Sequence, residues 1–272
     1  MRGLTRVMAD VRRKMSWLHL RFLRHVHGDR PIPLWYWSFC LHLAGIFGSE
    51  PDLLFPPAES LRSSGESLEI QELKALLVND TLGEWALDAQ TIILVWEILH
   101  LEKPRLIVEC GAGISTLALA QYAALATCEG NPCFIVSLEQ DFETAQSIRA
   151  RLSNVGLERF VQIVHSPLDA KGNYSLHNFE EVLAQLPRRL IDFLMIDGPA
   201  GETGCRLGTL PMLLDHCTEG AKWFLDDAFR DGEMRILSEW SRLTGVEVKG
   251  IYPVGKGLAT GLIQRTSHHH PS

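Results

Sequence analysis

The sequence lacks several features that would assign it to other classes of protein. Its six cysteines form no C-x-x-C pair, and a chain of 272 residues does not need disulfides to stabilise a small core. We therefore expect free thiols and a cytoplasmic protein. No signal peptide and no internal repeat is predicted. The aromatic and apolar segment over residues 34–47 has about fourteen residues, fewer than the ~20 that a membrane-spanning helix needs.

Charge is unevenly distributed along the chain. The net charge is −7, but residues 1–30 contain eight basic and two acidic residues, so they carry +6 and the remainder carries −13. A basic arm on an acidic body is expected to contact something anionic or the body itself. The acidic body gives no indication of nucleic-acid binding.

The basic arm has the periodicity of an amphipathic helix. Six apolar residues are spaced alternately four and three apart and so share one face: Leu4, Met8, Val11, Met15, Leu18 and Phe22. Such a helix can pack on a second subunit or on the acidic body, or it can lie on an anionic membrane surface. We favour packing, because seams of this spacing are more often buried. Residues 4–47 are thus the predicted contact of a homo-oligomer, with attachment to the inner membrane surface as the alternative.

Composition divides the chain into four parts. Residues 1–48 form the helical extension, and residues 49–83, rich in Pro, Ser and Gly, are predicted as a linker or cap. Residues 84–266 form the main domain, and residues 267–272 form a tail.

Strands and helices alternate along the main domain. Strands are predicted at 105–110, 133–138, 160–165, 191–197, 221–226, 246–252 and 258–265. Helices are predicted at 84–101, 115–127, 141–154, 176–186, 204–217 and 231–243. This order predicts an α/β fold with a mostly parallel sheet covered on both faces, ending in an antiparallel hairpin at one edge.

A glycine-rich turn after the first strand is the most informative motif. Residues 108–116 read Val-Glu-Cys-Gly-Ala-Gly-Ile-Ser-Thr, between an apolar run and an Ala-rich helical segment. Glycines there let a ligand approach the backbone and the N-terminus of the helix. A dinucleotide site would have a third glycine at the position of Thr116, and Glu109 would repel a pyrophosphate. The turn therefore favours an amine-bearing nucleoside such as S-adenosylmethionine.

Polar side chains follow the other strands, at the edge where ligands bind in parallel sheets. Glu139 can accept the two hydroxyls of a ribose, and His165 and Ser166 are candidate neighbours of adenine. Two further strands end in acids, Asp197 after one and Asp226-Asp227 after the next.

The three aspartates allow two interpretations. They could form a site for Mg²⁺ that retains waters. Alternatively, one acid caps a helix and another pairs with Arg206 or Arg230. The sequence leaves both open.

With these residues in view, the chain from about residue 84 to 265 resembles the class I S-adenosylmethionine-dependent methyltransferases. Glu109-Cys110-Gly111-Ala112-Gly113 is similar to their first motif, and Glu139 to their ribose-binding acid. The resemblance implies a Rossmann-like seven-stranded sheet in the order 3-2-1-4-5-7-6. It also implies a cofactor site at Glu109, Gly111, Gly113, Ser115, Thr116, Glu139, His165, Ser166 and Asp197.

Within that class, the acids are similar to those of metal-dependent, catechol-type O-methyltransferases. That resemblance implies Mg²⁺ ligation by Asp197, Asp226 and Asp227. Those enzymes carry a lysine base three residues after the first acid, where this chain has Ala200. The segment around Arg206 and Asp226–Arg230 looks more like bacterial methyltransferases of uncharacterised substrate.

The leading hypothesis is methyl transfer from S-adenosylmethionine to an oxygen of a small or saccharide-like acceptor. Asp197 and Asp227 are the predicted catalytic residues, with or without Mg²⁺. One alternative is an aminopropyl-type transfer from the same nucleoside. A second is a non-catalytic nucleoside-binding domain whose arm drives assembly or membrane attachment.

Overall fold

The structure is a computed structural model that describes residues 30–37, 39, 87 and 89–264. The predicted amphipathic helix, the linker or cap and the tail lie outside the described residues, so they stay predictions. No helix in the described part of the chain is long and apolar enough to cross a membrane.

Six α-helices and seven strands make up the described domain. The helices are α1 (Ala89–Glu102), α2 (Ile114–Cys128), α3 (Phe142–Asn154), α4 (His177–Gln185), α5 (Thr209–Leu213) and α6 (Asp231–Trp240). The strands are β1 (Leu106–Cys110), β2 (Phe134–Glu139), β3 (Val161–His165), β4 (Ile191–Ile196), β5 (Cys217–Leu225), β6 (Val246–Tyr252) and β7 (Leu258–Ile263).

The seven strands form one sheet in the order β3-β2-β1-β4-β5-β7-β6. Strands β1 to β5 pair in parallel, whereas β7 pairs antiparallel with both β5 and β6. The predicted α/β fold, its strand order and its terminal hairpin are confirmed.

Helices cover both faces of the sheet because the buried strands present apolar side chains to each side. In β1, Ile107 packs in a cluster with residues of α1, α2 and α3. Leu106, Val108 and Cys110 point the other way, into a cluster with α4, α5 and α6. The sheet therefore lies between two layers of helices, and the carboxyl ends of its parallel strands meet at one edge.

The single helix predicted over 204–217 is wrong. The chain instead forms a 3₁₀ helix at Cys205–Gly208, then α5, then a second 3₁₀ turn at Leu214–His216. Pro211 has no N–H to donate to the carbonyl of Leu207, four residues earlier. That carbonyl accepts a hydrogen bond from the Trp240 indole at 2.9 Å instead.

The end of the N-terminal extension packs on the domain. Ile32 and Ile251 exchange backbone hydrogen bonds of 3.0 and 2.9 Å, which adds a short bridge at the β6 edge. Residues 34–37 form a helical turn in which Trp37 is buried, with its ring 4.8 Å from that of Phe229. The extension is therefore in contact with the loop that follows β5.

Candidate functional site

Three strand ends are held in line by continuation of the parallel ladder. The N–H of Gly111 donates to Leu138 at 2.8 Å, and that of Asp197 donates to Cys110 at 2.9 Å. The N–H of Asp226 donates to Ile196 at 3.0 Å. The residues that follow β1, β4 and β5 therefore emerge side by side at the same edge.

A cleft of about 340 Å³ lies at this edge above β1 and β2. Five of the nine predicted cofactor residues line it: Gly111, Gly113, Ser115, Glu139 and Asp197. Glu109, Thr116, His165 and Ser166 are not among its lining residues.

The two glycines of the turn serve different purposes. Gly111 has φ +94°, which glycine adopts readily, and a Cβ there would lie 3.0 Å from the backbone nitrogen of Gly198. Gly111 thus allows the loops after β1 and β4 to touch. At Gly113 a Cβ would meet nothing within 4 Å, because the space above it is the cleft.

Glu109 lies buried beneath the glycine turn and is not among the residues that line the cleft. Its side chain is fully buried and accepts hydrogen bonds from the hydroxyls of Ser115 (2.5 Å), Thr116 (2.6 Å) and Ser137 (2.7 Å). Burial raises the pKa of Glu109 to about 7, although these hydroxyls oppose the shift. Thr116 in turn accepts the N–H of Gly113 at 2.9 Å. Glu109 therefore fixes the glycine turn from beneath.

Glu139 joins the loop after β1 to the end of β2. One carboxylate oxygen accepts the N–H of Ala112 and the other that of Asp141, both at 2.8 Å. Burial raises the pKa of Glu139, and the backbone donors oppose that rise. Glu139 lines the cleft, and a carboxylate oxygen can accept more than one hydrogen bond, so a ribose diol remains a compatible ligand.

His165 and Ser166 follow β3 but lie apart from the cleft lining. The His165 ring makes an edge contact with Phe142, with centroids 5.4 Å apart. Ser166 is buried, and its N–H extends the ladder to Glu139 at 2.8 Å. Neither position tests the predicted contact with adenine.

A second cleft of about 550 Å³ adjoins the first, and the two share the lining residues Asp197 and Ala200 from the loop after β4. Its further lining comes from the loops after β4 and β5, from the 3₁₀ helix at Cys205–Gly208 and from α6. Asp226, Asp227 and Arg206 lie in its wall. Asp197 is thus the predicted catalytic residue that faces both clefts.

The three aspartates do come together. One oxygen of each lies within 4.8 Å of those of the others. Burial raises the pKa of Asp197 well above its usual range, and the neighbouring Asp226 carboxylate adds to the rise. Asp227 has φ +59°, a left-handed conformation that is uncommon outside glycine.

Basic side chains already occupy this cluster. Arg206 Nη2 lies 3.1 Å from Asp197 Oδ1 and 3.3 Å from Asp227 Oδ2, and Arg206 Nη1 donates to the Asp226 carbonyl at 3.1 Å. Arg230 Nη1 lies 2.8 Å from Asp227 Oδ2, and Lys256 Nζ lies 3.8 Å from Asp227 Oδ1.

The aspartates therefore do not fit Mg²⁺ as they are arranged. Mg²⁺ requires near-octahedral oxygen ligands at about 2.0–2.1 Å, and it repels neighbouring cations. Asp197 Oδ1 and Asp227 Oδ2 already pair with Arg206, and Asp227 pairs with Arg230 as well. Of the two interpretations drawn from the sequence, the arginine pairing matches the geometry.

Gln140 and Tyr174 line the first cleft and were not among the residues predicted from the sequence. Gln140 exchanges hydrogen bonds of 3.1 and 2.9 Å with the backbone of Ala200 and so holds the loop after β4. Tyr174 is 4% exposed and lines the cleft, and its hydroxyl has no hydrogen-bond partner among the described residues. The only sequence signal for Tyr174 is the turn before it, where Asp169 accepts the N–H groups of Lys171 and Asn173.

A larger cavity of about 1180 Å³ lies at the opposite, amino end of the strands. It is lined by the starts of β1 and β2 and by four arginines, Arg105, Arg159, Arg188 and Arg189. None of the predicted site residues lies there, so we place the candidate site at the carboxyl edge.

Comparisons with known proteins match part of the sequence and the fold. Residues 108–228, somewhat less than half of the chain, match a family model described as a methyltransferase domain. No curated protein sequence matches the chain.

Solved structures share the fold at low sequence identity. A methyltransferase from Geobacter sulfurreducens is 18% identical with a TM-score of 0.52, over 76% of this chain and 94% of that one. An O-methyltransferase from Bacillus cereus, in complex with SAH, is 14% identical with a TM-score of 0.53 over the same shares. The O-methyltransferase TomG from Streptomyces achromogenes, in complex with SAM, is 16% identical with a TM-score of 0.52, again over 76% and 94%.

The fold and the domain match lead to one class. The strand order and the glycine turn after β1 define the class I, S-adenosylmethionine-dependent methyltransferase architecture. Residues 108–228 match a methyltransferase domain, and this match supports the predicted enzyme class.

Proposed function

We propose that the protein transfers the methyl group of S-adenosylmethionine to an oxygen of a small-molecule or saccharide-like acceptor. The observation that carries this proposal is the position of Asp197, which lines both clefts. A methyl donor in the first cleft and a hydroxyl acceptor in the second would meet beside this carboxylate.

The first cleft suits S-adenosylmethionine. Glu139 would accept the ribose hydroxyls, and Gly113 leaves room for the ligand beside the backbone. Ser115 lines the cleft at the first turn of α2, while Glu109 and Thr116 hold the turn in shape. His165 and Ser166 remain the proposed neighbours of adenine. Relatives in complex with SAM and SAH share this fold, which supports the assignment.

Asp197 is the proposed general base. As the acceptor oxygen forms its bond to the methyl carbon, the sulfur–carbon bond breaks, its electron pair stays on sulfur and S-adenosylhomocysteine results. The acceptor's hydroxyl proton passes to Asp197. A raised pKa makes this carboxylate a stronger base than an ordinary aspartate. Ala200 excludes a lysine at the position where catechol-type enzymes carry one.

Asp227 is the second proposed catalytic residue. It lies in the wall of the acceptor cleft, and its ion pairs with Arg206 and Arg230 hold its carboxylate in place. Its role would be to orient the acceptor hydroxyl toward the methyl donor.

Calorimetric titration with S-adenosylhomocysteine, in Mg²⁺ and in EDTA, tests the cofactor assignment. We expect micromolar binding that does not change with EDTA. Folded protein that fails to bind in either condition would refute the methyl-transfer proposal. Binding that depends on Mg²⁺ would favour the interpretation in which the three aspartates are metal ligands.

Methyl transfer to a panel of hydroxyl compounds and saccharides tests the base. Asp197→Asn is expected to lower kcat by about 10²–10⁴-fold while S-adenosylhomocysteine still binds. Glu219→Gln, at the exposed amino end of β5, is the control and should behave as the wild type. Transfer of an aminopropyl group in place of methyl would favour the alternative reaction.

For the N-terminal arm we propose contact with a second subunit through residues 4–47. The burial of Trp37 against Phe229 supports packing of the extension rather than attachment to lipid. Removal of residues 1–29 should then lower the mass measured by light scattering. Loss of binding to anionic vesicles with an unchanged mass would favour the membrane alternative.

A further inference from the structure

The most unusual feature of the site is a buried arginine among three carboxylates. Arg206 is 6% exposed, and its two terminal nitrogens contact the Asp197 and Asp227 carboxylates and the Asp226 backbone carbonyl at 3.1 to 3.3 Å. A guanidinium in this position provides the positive charge that a divalent cation would otherwise supply.

The conformation of the neighbouring backbone places Arg206 in this position. Gly204, with φ +89°, turns the chain into the 3₁₀ helix that carries Arg206. The next residue, Leu207, is tied by its carbonyl to Trp240, which is fully buried. The turn at Gly204 and the hydrogen bond at Leu207 therefore fix the backbone before and after Arg206.

Basic side chains surround the cluster. Arg206 pairs with Asp197 and Asp227, Arg230 pairs with Asp227 as well, and the Lys256 ammonium lies 3.8 Å from Asp227. A divalent cation bound to the same oxygens would leave the buried Arg206 guanidinium without its carboxylate partners, which is costly.

We propose that the Arg206 guanidinium takes the place of a divalent cation in the aspartate cluster, so that methyl transfer at this site is independent of metal. The claim that methyl transfer is independent of metal rests on the proposed function. The claim that Arg206 replaces a cation concerns the cluster alone and can be tested without knowing the acceptor.

Arg206 is a positioning residue under this proposal. It contacts one carboxylate oxygen of Asp197, which lines both clefts, and one of Asp227, which lines the second cleft. The removal of its side chain should expose three carboxylates that converge within 4.8 Å, which is a suitable donor set for a hard cation.

Binding of Mn²⁺ to the full-length protein, followed by electron paramagnetic resonance, tests the proposal. The wild type should leave the spectrum of the free ion unchanged at submillimolar Mn²⁺. Arg206→Ala should bind Mn²⁺ at least about tenfold more tightly than the wild type, and Asp227→Asn in the same background should remove that binding. Arg206→Lys retains the positive charge and should bind Mn²⁺ no more tightly than the wild type.

Arg242→Ala is the matched control. Arg242 also pairs with a carboxylate, Glu239 at 2.7 Å, but both side chains are exposed at the end of α6. This variant should match the wild type in Mn²⁺ binding.

Two results would overturn the proposal: Mn²⁺ binding by the wild type that Asp227→Asn abolishes, or no gain of binding in folded Arg206→Ala. If Arg206→Ala does not fold, the wild-type titration with its Asp227→Asn partner decides. S-adenosylhomocysteine binding is measured on the same samples. Its absence would refute the proposed function and leave the Mn²⁺ result intact.

Discussion

Thr116 links the buried Glu109 to the glycine turn. Its hydroxyl donates to Glu109 Oε2 at 2.6 Å and accepts the N–H of Gly113 at 2.9 Å. The relay connects a side chain without solvent exposure to the backbone that lines the first cleft.

Thr116→Val tests this relay, since it keeps the shape of the side chain and removes the hydroxyl. We expect a loss of about 1–3 kcal/mol in the free energy of unfolding, because a buried carboxylate and a backbone N–H each lose a partner. S-adenosylhomocysteine should bind more weakly. Denaturant unfolding and calorimetry measure the two effects.

Thr127→Val is the control for that change. Thr127 lies in the same helix, and its hydroxyl donates only to the carbonyl of Ala123 at 2.7 Å. Its loss should cost less than about 0.5 kcal/mol, since such bonds back to the helix add little stability. Equal effects of the two substitutions would contradict the relay.

The raised pKa of Glu109 predicts a stability that depends on pH. Below pH 4.5, the ordinary pKa, the carboxyl is protonated in both the folded and unfolded states. Between pH 4.5 and about 7 the folded state binds more protons, so the contribution of Glu109 to stability falls as the pH rises. Above about 7 the penalty is complete, on the order of 3 kcal/mol.

Glu109→Gln isolates this contribution, because glutamine does not titrate. The unfolding free energies of wild type and variant are measured from pH 4 to pH 9. Their difference should change by on the order of 3 kcal/mol over the range, in the direction that favours the variant at high pH. A constant difference would show that Glu109 keeps an ordinary pKa.

Much of the fold could be predicted because buried parallel strands appear in the sequence as continuous apolar runs. The predicted start of β5 was late, since Thr218, Glu219 and Gly220 are partly or fully exposed and do not look like a buried strand. The face of the sheet on which Glu109 lies could be predicted from the alternation of side chains along β1. Its neighbours Val108 and Cys110 face one layer of helices, so Glu109 faces the other.

The rest of the site could not be predicted from local pattern. The acids at the strand ends follow from the rule that parallel strands end at one edge. Arg206 and Tyr174 reach that edge from irregular segments, where neither periodicity nor a motif indicates direction. The choice between metal and arginine depended on a contact between residues 206 and 227, which only the folded chain reveals.

Tyr174→Phe separates ligand binding from stability. The Tyr174 hydroxyl is buried in the wall of the first cleft without a partner among the described residues, so its removal should leave the unliganded protein as stable or slightly more stable. If the hydroxyl donates to the cofactor, S-adenosylhomocysteine should bind about tenfold more weakly. Thermal unfolding and calorimetry provide the two values, and unchanged affinity would assign the hydroxyl no role in binding.

The last prediction concerns the packing of Trp37, in the N-terminal extension, against the domain. Trp37 is 1% exposed, stacks edge-on against Phe229 and donates its indole N–H to the Ile251 carbonyl at 3.3 Å. Phe229 lines the second cleft, so Trp37 supports the wall of that cleft from outside. Trp37→Ala should cost about 3–5 kcal/mol of stability, which is typical of a buried aromatic residue.

Trp35→Ala is the matched control, two residues away on the same turn. Trp35 is 69% exposed, so its loss should change the stability of the domain by less than about 0.5 kcal/mol. Trp37→Ala should also raise the KM for the acceptor more than it weakens S-adenosylhomocysteine binding, because Phe229 borders the second cleft and not the first. If both tryptophan variants unfold like the wild type, the extension contributes nothing to the site and would have to be treated as an independent segment.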